Sequence, residues 1–170
     1  MQIRIRNAEE RDYPFILKVN EENVEVLSPM DDDKIWNFSE WSTLFLVAEI
    51  DGDAVAFLLA LREGILDYDS ENYLWFSKNY QKFLYIDRIV IDEPYRRLGV
   101  GRALYQKAFC YANAAEVPFV TAEIDTEPYN EESLGFHRAM GFKEVGVQVV
   151  RNNSIKVSLQ ERRILNESHL

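Results

Sequence analysis

Apolar residues recur along the chain at spacings typical of strands in some stretches and of helices in others. Residues 3–5 alternate apolar and polar as a short strand does, and Asn7 offers an N-cap for a helix over 8–23. The aspartates at 31–33 suit the N-terminus of a second helix, because negative charge is stabilising there. The beginning of the chain therefore predicts one strand followed by two helices.

A hairpin and a long irregular stretch come next. The runs 43–50 and 54–61 are apolar enough to be buried on both faces, and the Asp51-Gly52-Asp53 segment between them predicts a tight turn. Residues 63–83 break the regular spacing and mix acidic with aromatic side chains. A structureless segment of that length is unusual in a compact domain and is often functional. We interpret it either as an acidic surface loop pinned by its aromatic rings or as the wall of a substrate site.

The second half of the chain predicts a βαβ unit and a closing hairpin. A strand over 83–91, an amphipathic helix over 99–115 and a strand over 119–124 predict two parallel strands with a right-handed crossover. A helix capped by Asn130 follows, and the remaining runs over 142–150 and 155–159 predict an antiparallel pair. The order β-α-α-β-β-loop-β-α-β-α-β-β predicts an α/β fold with a mixed sheet and helices on its faces.

Composition narrows the classes of function. The 170 residues include 19 Lys and Arg against 29 Asp and Glu, for a formal net charge of −10. This charge argues against broad binding to nucleic acid or to anionic membranes. The length suits a single domain, 1–170, with a core over 1–162 and a C-terminal tail over 163–170.

The cysteine and histidine content argues against a disulfide-stabilised protein and against a metal centre. A single cysteine, Cys110, cannot form a disulfide framework within the chain, and two histidines leave little material for a metal centre. One of them, His169, is expected in an exposed tail. No apolar run approaches a membrane span and no signal-peptide core is recognisable, so a cytoplasmic protein is expected. The sequence leaves open whether it is a monomer or a homodimer.

Candidate chemistry concentrates in the segment that connects the strand ending at Ile91 to the helix after it. Gly99 and Gly101 let the backbone approach a ligand, and a helix N-terminus attracts anions. Three arginines cluster there in an acidic chain, which indicates a small anionic ligand such as a phosphate. No Walker P-loop is present, and a Rossmann fingerprint lacks its third glycine because position 104 is Leu104. The alternative is a tight connection with solvated arginines.

Two motifs in this region resemble those of one enzyme family. Arg96-x-x-Gly99-x-Gly101 resembles motif A, [RQ]-x-x-G-x-[GA], of the GCN5-related N-acetyltransferase (GNAT) superfamily. Residues 130–142, NEESLGFHRAMGF, resemble its second signature, N-x-x-[SA]-x-x-[FL]-Y-x-x-x-G-F. The resemblance implies a central mixed sheet of about seven strands flanked by about four helices, with two splayed central parallel strands.

The resemblance also implies acetyl-CoA as the acyl donor and no metal. The pantetheine arm would pair with the backbone of the strand before motif A, and main-chain N–H groups of the turn would hold the pyrophosphate. Asn130 would bond the cofactor, although on its own it is also explained as a helix N-cap. The implied cofactor-binding residues are Ile89, Val90, Ile91, Arg96, Arg97, Leu98, Gly99, Val100, Gly101, Arg102, Asn130, Ser133 and Phe136.

The implied reaction is direct attack of an amine on the thioester. His137 stands where the family usually has the tyrosine that protonates the leaving thiolate, and it is either that acid or a packing residue. The main-chain N–H of Val90 is expected to contact the oxyanion. Asp87 is the first candidate for the base and Glu123 the second, with Tyr85 as a further option. The alternative for Asp87 is an ion pair with arginines of the adjacent strand or of the motif.

The acceptor is expected to contact the acidic and aromatic stretch. Charge and cation–π contact could hold an amine there. The residues assigned to that role are Asp69, Tyr73, Trp75 and Phe76. The function predicted is acetylation of a primary amine of a small molecule, an amino acid or a protein N-terminus. The alternatives are a non-catalytic acyl-CoA-binding or sensing domain, and an enzyme that uses another acyl-CoA as donor.

Overall fold

The structure is a computed structural model of the chain, and it describes residues 1–152 and 154–164. In this part of the chain, seven strands and five α-helices form a mixed α/β fold, which confirms the predicted class with five helices rather than about four. The strands form one sheet in the order β1-β2-β3-β4-β5-β7-β6. The elements are β1 (Ile3–Asn7), α1 (Tyr13–Glu21), α2 (Asp32–Trp41), β2 (Leu44–Ile50), β3 (Asp53–Arg62), α3 (Glu71–Asn79), β4 (Leu84–Ile91), α4 (Val100–Ala114), β5 (Phe119–Glu127), α5 (Glu131–Ala139), β6 (Lys143–Val150) and β7 (Ile155–Arg163).

The chain divides into two compact units. The first consists of Met1–Leu61 and Ile86–Ala108, and the second of Arg62–Tyr85 and the chain from Phe109 onward. The prediction of one domain with a core over 1–162 stays a prediction. Most of the expected tail, including His169, lies outside the described residues.

The first unit is built on the antiparallel strands β1, β2 and β3. The predicted hairpin between β2 and β3 is confirmed, and its turn uses positive φ angles of 52° at Asp51 and 86° at Gly52. An Asp-Gly pair tolerates these angles, which is why the sequence marks the turn so clearly. Wholly buried residues such as Phe57 and Leu59 fill the core beneath the hairpin.

The predicted start of the first helix is wrong. Asn7 is the last residue of β1, and the chain passes through a short turn before α1 begins at Tyr13. Arg6 contacts Asp12 at 2.7 Å, and a carboxylate oxygen of Asp12 accepts a hydrogen bond from the Glu9 amide at 2.8 Å. These contacts hold the intervening residues in a turn. The helix then starts beside Pro14, which lacks an N–H and fits a first helical turn.

The second unit contains the parallel pair and the closing hairpin. β4 pairs in parallel with β5 through Leu84–Val120 and Tyr85–Thr121, at the starts of both strands, so the predicted βαβ unit is confirmed. The splay of the later parts of these strands stays a prediction. β7 lies antiparallel between β5 and β6. β5 and β7 run longer than predicted, because their ladder extends through polar residues to Glu127–Lys156 at one end and to Phe119–Arg163 at the other.

The expectation of an irregular loop over 63–83 is wrong, since α3 occupies its centre. The Ser70 hydroxyl caps the helix by accepting from the Tyr73 amide. Tyr73 and Phe76, three residues apart, are buried on one helical face. Trp75 lies against Gly146 of β6, where an added Cβ would come 2.5 Å from the indole. Two of the aromatic residues of this stretch, Tyr73 and Phe76, therefore form the buried side of a helix.

Candidate active site

The turn between β4 and α4, in the first unit, has an open backbone at a helix N-terminus. Arg97 and Gly99 adopt positive φ angles of 64° and 88°, and α4 begins at Val100. A Cβ placed on Gly99 would have no atom within 4 Å, so this side of the backbone is open to a ligand. The first N–H groups of a helix have no partner within it. The turn therefore fits a phosphate group.

The three arginines of this turn differ in their surroundings. Arg96 is half-buried, and its Nε donates to the carbonyl of Ile91 at 3.1 Å while its Nη2 donates to Asn23 Oδ1 at 3.0 Å. Arg97 and Arg102 are exposed. Arg96 is thus held by two hydrogen bonds within the protein, unlike the solvated arginines of the alternative interpretation, whereas Arg97 and Arg102 are exposed to solvent.

Strand β4 holds the first candidate for the base in a buried ion pair. As whole residues, Asp87, Ile89 and Ile91 are less buried than the neighbours with which they alternate, so they share a face as predicted. Arg88 Nε donates to Asp87 Oδ2 at 2.7 Å, and the side chains are 3% and 2% exposed. The structure therefore gives Asp87 an ion pair with Arg88, the next residue of its own strand.

Two carboxylates lie on one face of β5, in the second unit. The hydroxyl of Tyr85 donates to Glu123 Oε1 at 2.9 Å. Asp125, two residues further along the strand, is only 9% exposed, and its Oδ2 has no hydrogen-bond partner among the described residues. Burial raises the pKa of the Asp125 carboxyl, and the charge of Arg151 opposes that rise.

Sequence analysis missed Asp125. A carboxylate whose pKa is raised by burial is a candidate proton acceptor, because its pKa moves towards neutrality. The available signal was the alternation of β5, which puts a second acidic residue on the same face as Glu123. Asp125 stood near the predicted strand end at 124, so it read as a loop residue.

Helix α5 positions the residues of the second signature. Asn130 caps it by accepting from the Ser133 amide at 3.3 Å, so the N-cap interpretation is confirmed and the cofactor contact stays a prediction. His137 is 4% exposed, and its Nδ1 lies 2.8 Å from the carbonyl oxygen of Ser133. Its ring packs edge-on against those of Phe136 and Phe142.

Burial lowers the pKa of His137 to about 4, so the imidazole is neutral at pH 7. A neutral ring with Nδ1 facing a carbonyl carries its proton on that nitrogen. The structure therefore favours packing over the histidinium acid for this residue.

The residues assigned to the acceptor separate into enclosed and exposed ones. Tyr73 and Phe76 are 1% and 0% exposed, and their rings lie 5.6 Å and 5.7 Å from that of Tyr85, which in turn bonds Glu123. Trp75 is half-buried and Asp69 is exposed. Two aromatic rings of α3 thus pack against the tyrosine that bonds Glu123. Direct contact with an acceptor stays a prediction for all four residues.

Residues 3–142 match the sequence model of the acetyltransferase (GNAT) family. The match covers most of the chain and includes both the motif A turn and the Asn130 helix. This chain belongs to the GNAT acetyltransferase family. Among the described residues of this acetyltransferase, no group of three or more His, Cys, Asp or Glu is arranged to hold a metal ion. In the same residues, no helix has the length and apolar character that crossing a membrane requires.

This GNAT acetyltransferase is similar to known proteins in both sequence and structure. An N-alpha-acetyltransferase of Sulfurisphaera tokodaii is 28% identical over 153 residues, covering 86% of this chain and 83% of the relative. The crystal structure of Ard1 from Thermoplasma volcanium has a TM-score of 0.78 at 18% identity, covering 98% of this chain and 100% of that one. Naa20 of Chaetomium thermophilum, solved with a bisubstrate analogue, has a TM-score of 0.74 at 21% identity, covering 95% and 86%. These structural likenesses show the fold.

Proposed function

We propose that this GNAT acetyltransferase transfers the acetyl group of acetyl-CoA to the α-amine of a protein N-terminus. Three features support the proposal: the open turn before α4, the buried carboxylate of Asp125, and the name of the Sulfurisphaera tokodaii relative. The donor, the acceptor and the residue roles below are parts of this proposal.

The donor would be held by the turn before α4 and by the strand that leads into it. Main-chain N–H groups from Arg97 to Arg102 would hold the pyrophosphate, and the backbone of Ile89 to Ile91 would receive the pantetheine arm. Acetyl-CoA supplies an activated thioester carbonyl, and the Val90 N–H is the donor assigned to its oxyanion. The exposed charges of Arg97 and Arg102 would attract the phosphates.

The single observation that carries the reaction is the environment of Asp125. An α-ammonium has a pKa of about 8 and a lysine ammonium about 10.4, so an α-amine is the easier one to deprotonate near neutral pH. A carboxylate with a pKa raised by burial is better matched to that task than an exposed one. We therefore assign Asp125 as the proton acceptor. Glu123, which already accepts from Tyr85, is assigned to positioning it.

His137 would have no acid role in this mechanism. The departing thiolate comes from a thiol of pKa about 8.5 and can leave without prior protonation, with solvent supplying the proton afterwards. The neutral, enclosed imidazole would instead pack α5 against Phe142.

Thiol release from acetyl-CoA over a panel of amines tests the proposal. The panel contains a peptide with a free N-terminus, the same peptide with a blocked N-terminus and an internal lysine, free amino acids, and a polyamine. Release with the first peptide alone supports α-amine acetylation. Saturable CoA binding without release for any amine would instead identify a non-catalytic acyl-CoA-binding domain. Competition between acetyl-CoA and succinyl-CoA decides the donor.

A further inference from the structure

We propose that Arg96 is a positioning residue, which fixes the phosphate-binding turn through Asn23 instead of contacting the phosphate. The inference rests on the proposed use of acetyl-CoA. Its starting observation is that two donors of the guanidinium are directed into the protein, one at the Ile91 carbonyl and one at Asn23 Oδ1.

Hydrogen bonds hold Asn23 in place for its contact with Arg96. Its side-chain Nδ2 donates to the Val19 carbonyl at 2.7 Å, and its main-chain N–H donates to the Asn20 carbonyl at 3.0 Å. Its own carbonyl accepts from the amides of Val26 and Leu27. Asn23 therefore lies in a hydrogen-bonded turn just after α1, and its side-chain oxygen accepts from Arg96.

The turn itself requires such support. Arg96 is extended, Arg97 follows with a φ of 64°, and Gly99 has a φ of 88°. A positive φ at a non-glycine residue is unfavourable and persists only where the surroundings fix it. The Arg96 side chain, immediately before this strained residue, links the end of β4 to the turn after α1. It therefore holds the N–H groups of the turn in one arrangement.

The geometry also gives the three arginines of the turn different roles. The planar fork of Arg96 has its Nε and Nη2 already bonded, whereas Arg97 and Arg102 are exposed. The long-range attraction of a phosphate depends on exposed charge and weakens as salt screens it. Replacing Arg96 should therefore weaken CoA binding at every salt concentration by the same factor, whereas replacing Arg102 should reduce the salt dependence itself.

Variants at Arg96 should fold, because α1 has a second anchor. Arg88 donates to Asn20 Oδ1 at 2.8 Å and to Ser28 Oγ at 3.0 Å, so β4 holds the same end of α1 independently. The contact between Arg96 and Asn23 can be removed while this anchor remains.

The test measures the dissociation constant for CoA by calorimetry. Arg96→Gln and Asn23→Leu should each weaken binding about tenfold, and the double variant should lose little more than either single one. Asn23→Asp keeps an accepting oxygen and should retain most of the affinity. Arg4→Gln removes an exposed positive charge from the same unit and is the matched control, expected to bind as the wild type does.

A shortened donor separates positioning from a general structural defect. S-acetylpantetheine lacks the diphosphate, so Arg96→Gln should lower kcat/KM with acetyl-CoA about tenfold and leave kcat/KM with S-acetylpantetheine nearly unchanged. Equal losses with both donors would show a merely structural role and overturn the inference. A flatter salt dependence for Arg96→Gln, or equal affinity of Asn23→Leu and Asn23→Asp, would overturn it too.

The outcome for the wild type separates this inference from the proposed function. If the wild-type protein does not bind CoA, the proposed donor is wrong and the inference is lost with it. If the wild type binds CoA and Arg96→Gln binds equally well, only the inference is wrong. Thermal unfolding of each variant confirms that the compared proteins are folded.

Discussion

Replacement of Asp125 by Asn should lower turnover while making the protein more stable. The carboxylate is 9% exposed, with one oxygen lacking a hydrogen-bond partner among the described residues, and burial raises its pKa. A carboxyl whose pKa is raised on folding destabilises the folded state at every pH above its unfolded pKa of about 3.9. The charge at neutral pH is therefore a cost that the neutral amide removes.

The magnitudes follow from these observations. An unsatisfied buried polar group costs about 1–3 kcal/mol, and more when it is charged. Removing the charge should recover about 1 kcal/mol, which for a chain of this size raises Tm by about 2–4 °C. Loss of a general base should lower kcat about 10²–10⁴-fold, because an amide cannot accept the proton.

The assay combines thermal unfolding at pH 7 with thiol release from acetyl-CoA at several pH values. Asp87→Asn is the comparison, since its carboxylate is neutralised by Arg88 and its loss should lower stability without changing the shape of the pH–rate profile. Glu123→Gln should lower kcat less than Asp125→Asn does and more than Asp87→Asn does. An Asp125→Asn protein that turns over at the wild-type rate would refute the assignment, and one that is less stable than wild type would refute the account of its burial.

Three further predictions concern packing and pH. Arg88→Met should destabilise the fold by about 3–5 kcal/mol, because it removes the guanidinium that is ion-paired with the buried Asp87 carboxylate. Denaturant unfolding checks this, and a loss below about 1 kcal/mol would contradict it. Gly146→Ala should cost about 1–3 kcal/mol, since its Cβ meets Trp75, and unchanged stability would mean that the indole moves freely. The pKa of His137 is lowered to about 4, so wild-type stability should fall as the pH drops from about 6.5 towards 4. His137→Phe should remove that fall and keep turnover at pH 7, whereas loss of turnover would restore the acid role.

The parts of the fold that the sequence predicts well are those with local signals. The Asp51-Gly52 turn is the clearest example, because its positive φ angles restrict which residues can occupy it. The motif A turn was predictable for the same reason. Helix α3 was not, because aromatic residues have modest helix propensity and the acidic residues around them suggested a loop. Its Ser70 cap and the spacing of Tyr73 and Phe76 carried the signal.

The roles of individual site residues depended on contacts between residues far apart in sequence. Arg96 lies 73 residues from its partner Asn23, and Tyr85 lies 38 residues from Glu123. The burial that makes Asp125 a candidate arises only when β5 is paired and covered. Such properties belong to the folded chain, so spacing along the sequence could place these residues on a face but could not assign their chemistry.

The most direct test of the proposed function is to locate the transferred group. The protein is incubated with isotopically labelled acetyl-CoA and two peptides of one sequence that contains a lysine, one with a free N-terminus and one with a blocked N-terminus. Fragmentation mass spectrometry then finds the labelled acetyl group. The account predicts label on the α-nitrogen of the first peptide and none on the second. Label on the lysine, or no label on either peptide while CoA binds, would contradict it.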